Sequence, residues 1–106
     1  MTSHQGFVLH PGAAQDITEI WQFLVEDSPL AARRVREEIL DSVKRLVPFP
    51  DQGHTRADLT SHPLRFQTIR DYLIAYAPGE KPLVVVAVLH GRRNPRVLAA
   101  ILRGRK

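Results

Sequence analysis

Apolar and polar positions follow three rhythms along this chain, and each rhythm predicts an element. Between Ala13 and Asp27, the residues Ala14, Ile17, Ile20, Trp21, Leu24 and Val25 recur every three or four positions, the mark of a helix with one apolar stripe. Asp16, Glu19 and Gln22 fall off that stripe, and Asp16 and Glu19 suit the positive end of the helix dipole. Asp27-Ser28-Pro29 breaks the pattern and restarts it: Ser28 is a good N-cap, and Pro29 fits the first helical position, where a missing N–H costs nothing. The second helix runs to about Val47, burying Ala31, Ala32, Val35, Ile39, Val43, Leu46 and Val47. Arg33 with Glu37, Arg34 with Glu38 and Asp41 with Arg45 form i,i+4 pairs on its wet side. So short a connection folds the helices back as an antiparallel hairpin whose joint stripe covers one face of a sheet.

From Leu64 the rhythm shortens to two. Leu64 and Phe66 point inward and Arg65 and Gln67 outward along a strand ending at Ile69; Arg70-Asp71 turns the chain into Tyr72–Ala77, and Pro78–Pro82 is a hairpin loop. Leu83–Leu89 is then unbroken and valine-rich, too short for a membrane span, and reads as the central strand, buried on both faces. Gly6–His10, closed by Pro11-Gly12, is a first strand that joins the same sheet because it is too short to stand alone. Pro48–Gly53 stops the second helix, and the chain stays irregular through Pro63. After Asn94-Pro95, Val97, Leu98, Ile101 and Leu102 share one helical face, with Arg96, Arg103, Arg105 and Lys106 pointing elsewhere; an extended tail is the rival reading. The predicted fold is α+β, in the order β-α-α-β-β-β: a helical hairpin on one face of a mainly antiparallel four-stranded sheet, then a short helix or tail, all in one domain over residues 1–106.

Composition narrows this picture. A chain of 106 residues supports one core and one site. It has no cysteine, hence no disulfide framework or thiolate chemistry, and no basic-then-apolar leader, so a soluble cytoplasmic protein is expected. The net charge of +4 conceals an asymmetry: up to Leu64 nine acidic residues face six basic ones, and from Arg65 onward two face nine. Arginine, whose planar fork suits phosphates and carboxylates, dominates the basic half.

The candidate chemistry follows from that half. His54 and His62 lack a third ligand at any familiar spacing, so no metal is expected, and no phosphate loop or nucleophile motif calls for a cofactor. Arg65, Arg70, His90, Arg92 and Arg93 sit on outward strand positions or strand exits, and their convergence would make a patch for an anion or an acidic protein. His90 is the one obvious acid-base group among them; a purely structural role, closing the strand end on backbone carbonyls, is the competing interpretation.

The ordered set Ala-x-x-Asp-Ile-x-x-Ile-Trp (Ala13 to Trp21), Leu-x-x-Phe-Pro-x-x-Gly (Leu46 to Gly53), Leu-Arg (Leu64, Arg65), Asp-Tyr-Leu-Ile-x-Tyr (Asp71 to Tyr76) and Val-Leu-His-Gly-Arg-Arg-Asn (Val88 to Asn94) resembles the RelE/ParE superfamily of bacterial toxins. The resemblance implies a toxin neutralised by an antitoxin that lays a segment along its surface, with Trp21, Leu24, Val35, Ile39 and Arg65 as the expected contacts. The messenger RNA endonucleases of that superfamily usually carry an arginine after the tyrosine of the penultimate strand and a tyrosine near the C-terminus, where this chain has Leu73 and Leu98. The His-Gly-Arg-Arg-Asn ending looks instead like the ParE branch, which implies poisoning of DNA gyrase by binding through Arg65, Arg70, His90, Arg92 and Arg93. Two alternatives stay open: a ribosome-dependent ribonuclease using His90, Arg92 and Arg93, and an inactive relative kept as an antitoxin-binding component.

Overall fold

A computed structural model describes residues 6–105 and contains β1 (Phe7–Leu9), α1 (Pro11–Val25), α2 (Pro29–Leu46), a 3-10 turn (Pro50–Gln52), β2 (Arg65–Ile69), β3 (Tyr72–Ala77), β4 (Leu83–His90) and α3 (Pro95–Arg103). Lys106, expected on the polar side of the last segment, lies outside the described residues. The helix α1 starts two residues earlier than its apolar stripe because His10 caps it: the imidazole Nδ1 accepts the Gly12 N–H at 2.9 Å. That start leaves Asp16 beyond the first turn, so a dipole role does not account for it. Ser28 caps α2 as its chemistry predicts, its Oγ accepting the Ala31 N–H at 3.1 Å.

The strands lie in the order β1-β4-β3-β2, with β1 parallel to β4 and the other pairs antiparallel. The valine-rich strand β4 is thus an inner strand, and both its faces are covered. On one side Ile17, Val35, Ile39 and Val43 of the helical hairpin pack on Ile74, Tyr76, Leu83, Val85 and Val88. On the other, Leu98, Leu102 and Leu59 pack on Phe66, Leu73, Ala75, Val86, Ala87 and Leu89. The expectation of one core is therefore corrected, because α3 closes a second. Burial of Leu98 and Leu102 explains why this nine-residue segment is a helix and not a tail, helped by Asn94, whose Oδ1 accepts the Arg96 N–H at 2.8 Å.

Smaller departures have local causes. Ala13 takes the buried place expected of Ala14, and Val97, expected on the apolar face of α3, is exposed. On α2, Glu38 turns to Arg70 and Asp41 to Lys44, in place of the i,i+4 pairs expected with Arg34 and Arg45. The register of β4 slips once: Ala87 faces Ala75 while Val85 faces Tyr76, which makes Val86 a bulge residue. The first strand ends at Leu9, opposite Val85, so β4 runs on past it with no strand on that side among the described residues.

Candidate functional site

The strand register decides which arginines can meet. Arg65 faces Tyr76, which faces Val85; Ile69 faces Tyr72, which faces His90. Arg65 and His90 therefore stand at opposite ends of the sheet, four residues or roughly 13 Å apart along the strand direction. Arg65 is engaged there: its Nη1 donates to the Gly53 carbonyl at 2.8 Å, and its Nε lies 3.5 Å from Asp51. The neighbouring Tyr76 hydroxyl donates to the Pro50 carbonyl at 2.6 Å and accepts the Gly53 N–H at 2.9 Å, fixing the turn that holds Arg65. Burial raises the pKa of that phenol.

Arg70 is at the correct end but faces another way. It sits in the left-handed region at φ 53°, and its guanidinium grips Glu38 of α2 through both Nε and Nη2. This bond holds the Glu38 carboxyl below its ordinary range and raises Arg70. Of the five residues expected to converge, His90, Arg92 and Arg93 lie together, all exposed, where β4 leaves the sheet; Arg70 is exposed at the same end but paired with Glu38, Arg65 stands at the other end, and exposed Arg96 follows in the first turn of α3. The turn there is tight, since the Gly91 N–H bonds the Asp71 carbonyl at 2.7 Å. Arg92 lies 3.4 Å from the Asp71 carboxylate in an exposed pair, and His90 meets the edge of Tyr72 at 5.6 Å between ring centroids. Among the described residues these cations keep to the surface, as Arg70 does, whereas Arg65 is partly buried against the Gly53 carbonyl.

Beside the patch is a groove of about 370 Å3 between α1, the free edge of β4 and α3, lined by Asp16, Ile20, Phe23, Tyr72, His90 and Arg93 among others. Phe23 is 75% exposed on its wall, and Trp21 is 39% exposed nearby on the same helix. One ion pair beside the groove, made by its lining residue Asp16, was not legible in the sequence. The Asp16 carboxylate receives both ends of the Arg105 guanidinium, at 2.8 and 2.9 Å, with both side chains under one fifth exposed. Asp16 also accepts the Val88 N–H at 3.0 Å, and Arg105 donates to the Val86 carbonyl at 3.0 Å. The pair thus satisfies the backbone groups that β4 turns outward after β1 has ended. Its bond to Asp16 raises the Arg105 pKa. Arg105 was expected among the outward basic residues; 89 positions separate it from Asp16, so no local pattern pairs them, and in the fold the guanidinium lies over Gly12, where a Cβ would run into it.

The antitoxin contacts inferred from the resemblance divide similarly. Trp21 is exposed and Leu24 half-buried, but Val35 and Ile39 are packed against the sheet and cannot meet a partner unless that core opens. Leu73 and Leu98, at the positions where the endonuclease branch carries an arginine and a tyrosine, are both buried in the second core.

A helical hairpin on a mixed sheet whose central strand delivers His-Gly-Arg-Arg to solvent defines a small α+β toxin of the RelE/ParE superfamily. More narrowly, residues 7–95 match the family described as the ParE toxin of type II toxin-antitoxin systems, parDE, and the chain belongs to that family. No curated protein sequence matches it.

Proposed function

We propose that this toxin inhibits DNA gyrase, a type II topoisomerase of the cytoplasm, by gripping it through His90, Arg92 and Arg93, and that a cognate antitoxin neutralises it. The observation that carries the proposal is the exposure of these cations at one strand exit while Arg65 and Arg70 are engaged elsewhere. Burial of Leu73 and Leu98 supports a binder over an enzyme, because each missing catalytic group costs about 10²–10⁴-fold in rate whereas a grip needs only charge and shape. Purified toxin is expected to block gyrase supercoiling in a dose-dependent way; supercoiling unchanged at any concentration would refute the proposal.

The antitoxin is expected to lie across Trp21, Leu24 and the exposed Phe23, its acidic residues reaching the patch. A ribonuclease acting on ribosome-bound messenger RNA is the second reading, favoured by one contact, the edge of Tyr72 on His90 beside Arg93 in the groove. Mapping transcript ends in cells expressing the protein separates the two, since new codon-specific cuts mean the enzyme and their absence alongside growth arrest means the binder.

A further inference from the structure

Three elements meet at the groove beside the patch, and one pair of side chains ties all three. Asp16 comes from α1, Arg105 from the chain just past α3, and between them they hold the Val86 carbonyl and the Val88 N–H of β4. Val88 is two residues before His90, and α3 begins two residues after Arg93. Val88 leads into the strand exit and Arg105 follows α3, which Leu98 and Leu102 pack on the sheet, so the pair ties together the two ends of the segment that carries the exit turn. The exit residues are exposed and are held from the β3 side, where His90 pairs with Tyr72 and the Asp71 carbonyl takes the Gly91 N–H, so the Asp16–Arg105 pair is what fixes them from the open-edge side.

We infer that Asp16 and Arg105 are positioning residues for the His90–Arg93 patch: a clasp that touches no partner but holds the cations in the arrangement the partner reads. The inference rests on the patch being the target-binding surface, as proposed above. The bulge at Val86 belongs to the same device, because it turns two backbone groups toward the open edge, where a bidentate guanidinium–carboxylate pair can take both. Gly12 completes it by leaving room for the guanidinium over the first turn of α1.

The test is the double variant Asp16→Asn/Arg105→Gln, which removes both charges together and so leaves no unpaired one in the interior, beside Arg105→Lys, which keeps the charge and loses the fork. Arg103→Gln, an exposed change on the same helix, is the control, and Ser28→Ala supplies a variant destabilised at the far end of the hairpin. Amide hydrogen exchange over residues 98–103, the His90 ring resonances and gyrase inhibition are measured for each. In the double variant the exchange is expected to quicken about tenfold or more, the His90 resonances to shift and inhibition to weaken by about tenfold, a factor equivalent to ~1.4 kcal/mol. Arg105→Lys should fall between the double variant and the wild type, and Arg103→Gln should match the wild type. Wild-type exchange and His90 resonances in the double variant would overturn the inference. So would equal loss of inhibition in Ser28→Ala, or loss of folded circular dichroism in both Arg105 variants, since the pair would then hold the fold and not the patch. If wild-type protein fails to inhibit gyrase, the proposed function falls, and exchange and His90 resonances still decide whether the clasp exists.

Discussion

Arginine in this protein has no single role, and what surrounds each guanidinium decides what it does. Arg105 is inside a polar clasp, Arg70 is spent on Glu38, Arg65 on the Gly53 carbonyl, and Arg92 and Arg93 face water. Tyr76 shows how much one buried polar atom can weigh. Replacing it by Phe strands the Pro50 carbonyl and the Gly53 N–H, and is expected to cost about 1–3 kcal/mol, read as a lower midpoint in urea. Glu38 gives a pH signature. Its folded-state pKa lies below that of the unfolded chain, so its contribution is full above the ordinary glutamate range and is lost as pH falls through the depressed value. The difference in Tm between wild type and Glu38→Gln should therefore be largest near neutrality and shrink in acid; a constant difference would contradict the assignment. Such partners are poorly legible in sequence, because Arg70 and Glu38 are 32 positions apart and periodicity reports a residue's face and not whom it meets.

At the scale of elements, periodicity carried far more. The stripes of α1 and α2, the Ser28-Pro29 restart, the β2–β3 turn and the valine run of β4 are each local patterns with local physics, and the structure has them within a few residues. The element that remained ambiguous was α3, because a nine-residue helix is not stable alone and its existence depends on a sheet face that no local window reveals. Its dependence on packing is measurable. Leu98→Ala and Leu102→Ala should each destabilise the fold by about 2–5 kcal/mol, whereas Val97→Ala on the wet side should stay within about 0.5 kcal/mol. Equal effects at all three positions would mean the helix does not pack as described. Strand β1 is the opposite case: readable as a strand, yet its parallel pairing with β4, and therefore the open edge beyond Leu9, follows only from topology.

For the whole molecule, the basic half and the second core are two aspects of one design. The hairpin and α3 clamp β4 from both faces, and the strand carries its charge out of the sheet at one end, with an exposed aromatic wall beside it. The resemblance to the ParE branch was legible because it rests on an ordered series of short motifs. Which cations are available was not, because availability is set by partners across the fold. Binding through an exposed cation cluster should also weaken with salt, in contrast to the partly buried Asp16–Arg105 pair. The most direct test is the equilibrium affinity of gyrase for three purified forms: wild type, Arg92→Ala/Arg93→Ala and Arg65→Ala/Arg70→Ala. The account predicts at least about a tenfold loss for the first pair, ~1.4 kcal/mol, and little change for the second. Equal loss in both, or loss only when Arg65 and Arg70 are removed, would contradict it.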